Sequence, residues 1–262
     1  MLGDFDLIVH TFPNEITVYP IADVHLGAIE HAEREWQAFL TRVKEENAYL
    51  IIAGDMLNNS TRGVKFANPF DEAMRPREAK KLMVEYLTPL RERILIYLDG
   101  NHEQRSARES DVSIGYDVCS KLDIEHLYRE NVGFMTVGVG TRRTVKNPQA
   151  VYSFMVQHGS GGGIYSGATI NRNERTLSYA EGVDCFVAGH THKGMISKPS
   201  KIVVDVSRKK VFMRHQLVVS CVSWLNYGGY AARSQLLPAA IADPQKLRLV
   251  ANKDAKRIIT TW

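Results

Sequence analysis

YLIIAGDMLN, residues 49–58, is the stretch whose reading decides the fold. From Tyr49 to Ala53 the residues are apolar without a break, as in a buried strand, and Gly54-Asp55 ends the run. Two other stretches repeat the design. ITVYPIADVH, residues 16–25, carries a strand into Asp23 and His25, and RILIYLDGNH, residues 93–102, carries another into Asn101 and His102. Between them Trp36, Phe39, Leu40 and Val43 recur at helical spacing and predict a helix over 32–47. Pro76 suits the first position of a second helix, running to about Leu87. Asn58 to Asn68 is polar and reads as a loop. Strands alternating with helices predict a layered α/β fold.

The second half continues differently. Strands are expected over 134–139 and 150–156, joined by a basic loop over 141–149, and the second ends at His158. A Gly-rich run over 159–163 and a helix over 169–180 follow. A short strand over 184–188 ends at Gly189-His190. Residues 202–206 and 211–220 read as a hairpin turning over 207–210, and 224–238 as a loop rich in Gly, Tyr and Ala. With no repeat and no linker, residues 1–262 are expected to form a single domain.

Composition excludes several classes. No stretch approaches 18 apolar residues, so no membrane span is expected. The first ten residues hold Asp4 and Asp6 and no basic cluster, which speaks against a secretory signal and makes the cytoplasm the expected location. Cys119, Cys185 and Cys221 are far apart in apolar settings and read as buried free thiols. A net charge of +4 leans towards an anionic substrate without reaching the charge stripe of a dedicated nucleic-acid binder. Nothing points to a protein partner.

Chemistry gathers at the strand ends. Five of the nine histidines (His25, His102, His158, His190 and His192) lie there, with Asp23, Asp55 and Asn101. Ligands placed after strand ends converge on one edge of a sheet, where rigid strands can hold them together. Asp23 and His25 are two residues apart on an extended chain and point the same way, so both can bind one metal. Asp55 is the natural carboxylate to bridge two cations, and Asn101 can bind through its carbonyl oxygen. Taken together these are nitrogen and oxygen ligands for a two-metal site that cuts phosphate esters.

The order Asp-x-His, Gly-Asp-x-x-Asn, Gly-Asn-His-Glu, His, Gly-His-x-His resembles the calcineurin-like metallophosphoesterase superfamily over residues 16 to about 206. The resemblance implies a β-sandwich of two mixed sheets flanked by helices. It implies one metal on Asp23, His25, Asp55 and His192, and a second on Asp55, Asn101, His158 and His190. It makes His102 the catalytic histidine near the leaving group. Asn58 stands where the protein-phosphatase branch has an aspartate that orients this histidine. Asn59 and Asp99 lie near where that branch has an arginine, which argues against a protein phosphatase. Gly-His-Thr-His and Asp-Val-His-Leu-Gly look more like the phosphodiesterase and nuclease branches.

The expected activity is therefore hydrolysis of a phosphodiester, in a nucleic acid or nucleotide, by hydroxide held between two divalent metals roughly 3.5–4 Å apart. Mn²⁺ is the expected metal, with Fe, Zn²⁺, Co²⁺ and Mg²⁺ as alternatives. A phosphomonoesterase or nucleotide pyrophosphohydrolase on the same site is the second reading, and a non-catalytic scaffold of the same fold the third. Arg105 and Arg108 could clamp phosphate or form a solvated helix face. Gly159 to Gly163 could approach a phosphate or form a plain loop. Arg142, Arg143 and Lys146 could make a basic patch or a solvated hairpin tip. Trp224, Tyr227 and Tyr230 could stack a base or pack the sandwich.

Overall fold

The structure, a computed structural model, describes residues 5–61, 72–141, 149–163, 165–250 and 257–262, with the side chain of Tyr230 also left out. The basic residues Arg142, Arg143 and Lys146, and most of the polar loop after Asn58, lie outside the described residues.

Two six-stranded mixed sheets are flanked by helices, as the sequence leads one to expect. One sheet runs, edge to edge, β14 (Arg257–Thr261), β13 (Lys246–Val250), β2 (Ile16–Ile21), β3 (Tyr49–Ala53), β4 (Ile94–Leu98) and β5 (Tyr128–Arg129). The other runs β1 (Leu7–Phe12), β6 (Val132–Val139), β7 (Ala150–Gln157), β8 (Cys185–Ala188), β12 (Leu217–Ser220) and β9 (Met195–Ser197). In the first sheet β2, β3 and β4 are parallel neighbours, and in the second β7, β8 and β12 are. Parallel strands of this kind are covered on both faces, which explains the unbroken apolar runs. One buried cluster joins the sheets: Val18, Leu50 and Ile96 on one side meet Val137, Phe154 and Val187 on the other.

Helix α1 (Glu33–Glu45) buries Trp36, Phe39, Leu40 and Val43, the four positions that its spacing singles out. Burying each of the last three contributes about 1.5–3 kcal/mol. Glu33 and Glu35 in its first turn and Arg42 and Lys44 in its last oppose the helix dipole. Helix α2 (Pro76–Leu87) begins at the expected proline, with the Glu78 carboxylate accepting from the Arg75 amide at 3.1 Å. Three more helices, α3 (Glu103–Ser110), α4 (Ile114–Lys121) and α5 (Ser166–Ser178), follow β4 and β7. A short α6 (Gly229–Arg233) lies within the expected 224–238 loop.

One expected element splits in two. The strand read over 211–220 breaks at Gln216. Before it, β11 (Lys210–His215) pairs with β10 (Ser200–Asp205) as a separate hairpin, and after it β12 joins the main sheet beside β8. Buried Gln216 makes the break, its amide donating to Pro199 and its side chain to the Val183 carbonyl at 2.8 Å. The apolar run conceals this change because Ile202, Val204, Val211 and Met213 on the hairpin stay exposed.

All three cysteines are free and buried, as expected. Trp224 is fully buried against Trp36 and Phe39, with ring centroids 5.0 and 4.8 Å away. It packs the interior and is not a stacking platform. Tyr227 is exposed and donates to the Leu236 carbonyl at 3.0 Å. No helix among the described residues is long and apolar enough to cross a membrane.

Candidate metal centre

The carboxyl ends of β2, β3 and β4 meet those of β7 and β8 at one edge of the sandwich, and every expected ligand sits there. The chain turns sharply at each end. Asp23, His25, Asp55, His190 and His192 all have left-handed backbones, with φ between 50° and 70°. Each such turn at a non-glycine residue costs roughly 1–3 kcal/mol and persists only where the surroundings enforce it. Backbone bonds from Asp23 to Gly54 (3.1 Å) and from His25 to Asp55 (3.0 Å) supply that enforcement. Gly54 and Gly100 cross so closely that a Cβ on Gly100 would lie 2.0 Å from Oδ1 of Asp55.

The carboxylates are fixed from behind. The amide of His190 donates to both oxygens of Asp23, at 3.1 and 2.9 Å, and the amide of His102 donates to Oδ1 of Asp55 at 2.9 Å. Oδ2 of Asp55 is left facing imidazoles: 3.1 Å from Nε2 of His158 and 3.8 Å from Nε2 of both His25 and His102. Nε2 of His192 lies 3.4 Å from Oδ1 of Asp23 and 3.3 Å from Nε2 of His25. On the other side Oδ1 of Asn101 lies 2.7 Å from Nδ1 of His190 and 3.1 Å from Nε2 of His158. Three sets of donors close enough to share an ion result: Asp23 with His25 and His192, Asp55 with His158 and His190, and His25 with Asp55 and His102.

The chemistry of these donors fits divalent cations. Ring nitrogens of His25 and His192 face each other at 3.3 Å, as do those of His158 and His190. At that distance each pair needs a proton or a metal ion between its nitrogens. His158 already spends Nδ1 on the carbonyl of Ala53 at 2.8 Å, which turns Nε2 inward. All donors are nitrogen or oxygen, the set that suits Mn²⁺, Fe, Zn²⁺ or Co²⁺.

Charge is finely divided. Burial alone would raise the Asp55 carboxyl, but the imidazoles of His102, His158 and His25 hold it well below the usual range. Burial lowers His25, His102 and His190. For His158 burial is outweighed by the Asp55 carboxylate, which pushes it up to about 10, and Asp23 raises His192 in the same way.

His102 has particular surroundings. Its Nδ1 is 2.6 Å from the backbone carbonyl of Asn58, and its Nε2 is 2.8 Å from Nη2 of Arg105. A guanidinium can only donate, so Nε2 is the acceptor and the proton sits on Nδ1. Arg105 also donates to the Asn58 carbonyl at 3.0 Å. Thus Asn58 meets His102 through its main chain, while its carboxamide turns to His25 and Glu72. Arg108, one turn along α3, is exposed and bonds to Gln104. The structure brings Arg105 to the cluster and leaves Arg108 out. Buried Asn59 donates to the His102 carbonyl at 2.7 Å and to Ser106, so it braces α3. Gly159 to Gly163 are exposed loop, and the last accepts from Lys193.

Two further residues support the site, the last member of Gly-Asn-His-Glu and one outside every motif. Buried Glu103 accepts from the amides of Asp55, Leu57 and Gly100 at 2.9–3.0 Å and so ties the second and third strand ends together. Burial and the carboxylates of Asp55 and Asp99 push it up to about 8. Glu72 lies behind Asn58, 14 residues further along the chain. His31 bonds to the Val24 carbonyl at 2.8 Å and stays in the fold rather than the cleft.

Residues 16–194 match the profile of the calcineurin-like phosphoesterases. The chain belongs to that family. Solved structures similar to it include an uncharacterised protein of Streptococcus pneumoniae TIGR4 described as a predicted phosphoesterase (13% identity, 94% of this chain and 98% of that one, TM-score 0.37). A metallophosphoesterase of Sphaerobacter thermophilus is similar to the same extent (13% identity, 94% and 87%, TM-score 0.38). No curated protein matches the chain significantly.

Proposed function

We propose that the chain is a single metallophosphoesterase domain that hydrolyses phosphodiesters, in nucleic acids or nucleotides, with two divalent ions. Asp23, His25, Asp55 and His192 would hold one ion, and Asp55, Asn101, His158 and His190 the other, with Mn²⁺ the preferred metal. The observation that carries this reading is the position of Oδ2 of Asp55, with His25 and His158 on either hand. When bound, the ions would supply Lewis acidity to the attacking water and to the phosphoryl oxygens.

The protein's own groups do the rest. Asp55 stays ionised beneath its imidazoles and presents one oxygen inward. Arg105 stands at Nε2 of His102, where its guanidinium can meet charge developing on the departing oxygen. His102, held through Nδ1 by the Asn58 carbonyl, can take a proton from solvent at Nε2 and pass it to that oxygen. The preference for diesters is supported by Gly-His-Thr-His and Asp-Val-His-Leu-Gly, which look more like the phosphodiesterase branches, while Asn58, Asn59 and Asp99 speak against a protein phosphatase.

Turnover of bis- against mono-nitrophenyl phosphate, with each metal in turn, tests the proposal. Faster diester cleavage with Mn²⁺ is expected. Faster monoester cleavage with every metal would favour the monoesterase reading, and no turnover of either would favour the scaffold.

A further inference from the structure

Glu72 lies outside every motif, yet three contacts fix it behind the metal centre. Its Oε1 accepts from Nδ2 of Asn58 at 2.8 Å and from the amide of Ser60 at 3.0 Å. Its backbone forms a β-bridge with Ala28, and the neighbouring amide of Ala73 donates to the Gly27 carbonyl at 2.7 Å. The residue is thus tied to the loop that carries Asp23 and His25. Asn58 stands between, with Oδ1 3.2 Å from Nδ1 of His25.

The direction of each bond in this chain follows from its first member. A carboxylate only accepts, so it demands the NH₂ end of the Asn58 carboxamide. The amide oxygen must then face His25. An oxygen only accepts, so Nδ1 of His25 carries the proton, and Nε2 is left with its lone pair towards Asp23, Asp55 and His192. If the amide were reversed, its NH₂ would face Nδ1, the ring proton would move to Nε2, and the nitrogen aimed at the metal would be blocked. Metal-ligating histidines generally need such an outer partner. A neutral amide alone cannot choose between its two orientations.

We propose that Glu72 is a positioning residue that, through Asn58, selects the His25 tautomer able to bind a metal. This rests on the two-metal reading above and adds a residue that the family's motifs do not contain. The relay acts on only one of the two ions, because the His158 side takes its orientation from the Ala53 carbonyl.

Calorimetric titration of chelator-stripped protein with Mn²⁺ tests it, alongside ¹⁵N spectra of the histidine side chains without metal. In Glu72→Ala one of two sites should weaken about 10-fold or more, the usual effect of losing an outer-sphere partner. The His25 spectrum should shift from pure Nδ1–H to a mixture. Asn58→Asp sets two carboxylates against each other and should weaken the same site. Asn58→Asp with Glu72→Gln restores an acceptor for His25 and a donor for position 58, and should recover the affinity. Loss of both sites equally in Glu72→Ala, unchanged affinity there, or no recovery in the double variant would overturn the proposal. If the parent protein binds no metal, the two-metal reading itself fails, and the tautomer spectra still judge the relay.

Discussion

Oδ2 of Asp55 lies 3.1 Å from Nε2 of His158, while Nδ1 of the same ring is anchored 2.8 Å from a carbonyl at the end of β3. The two sheets of the sandwich thus meet in one carboxylate–imidazole pair. Both partners belong to the centre as a whole. Asp55→Asn removes the charge that the two proposed sites would share and should weaken both ions by at least about 100-fold, the upper end of what losing even an outer-sphere contact costs. Metal titration checks this, and a loss confined to one site would show that Asp55 does not bridge.

His102→Ala should keep both ions and lose turnover by about 10²–10⁴, the usual contribution of a proton-transfer group. Metal content measured beside activity separates the two effects. His102 approaches Asp55 and His25 closely enough to share an ion, so loss of metal in this variant would make it a ligand instead.

Arg105→Ala should lower kcat by about 100-fold, as removal of one donor to a developing negative charge does. Arg108→Ala should leave kcat and KM unchanged, because Arg108 faces solvent. Equal effects in the two variants would remove Arg105 from the site.

Acid should weaken the fold through His10. Its ring donates to the Leu95 carbonyl at 2.8 Å and links β1 to β4, and burial lowers its pKa. The folded state therefore holds fewer protons on this group than the unfolded state does. Stability contributed by the neutral ring is fully present above the unfolded value, near 6.5, and is lost as pH falls below it. Urea unfolding of stripped protein at pH 5.0 and 7.5 should show a smaller drop for His10→Gln than for the parent. Equal drops would contradict the assignment.

Trp224→Ala should destabilise the protein by about 3–5 kcal/mol, the cost of emptying a buried aromatic site. Unchanged stability would mean that the ring is not part of the core.

The strands, the first two helices and the gathering of the seven expected residues at one edge were legible because each rests on local pattern: an apolar run, a helical spacing, a polar residue after a strand. What escaped depends on distant partners. Gln216 divides an apolar run because its partners at Pro199 and Val183 lie across the fold. Asn58 reads as a side-chain acceptor for His102, yet the turn at 54–58 offers its carbonyl instead and frees the amide for His25. Arg105 and Arg108 look alike in sequence, and only the rotation of α3 separates them. Glu72 has no motif, because its role comes from a bridge to Ala28.

Crystals grown from stripped protein and soaked in Mn²⁺ test the central claim most directly. Anomalous difference maps should show two peaks, one among Asp23, His25 and His192 and one among Asn101, His158 and His190, with Asp55 between them. A single peak, or none at saturating metal, would contradict the two-metal account.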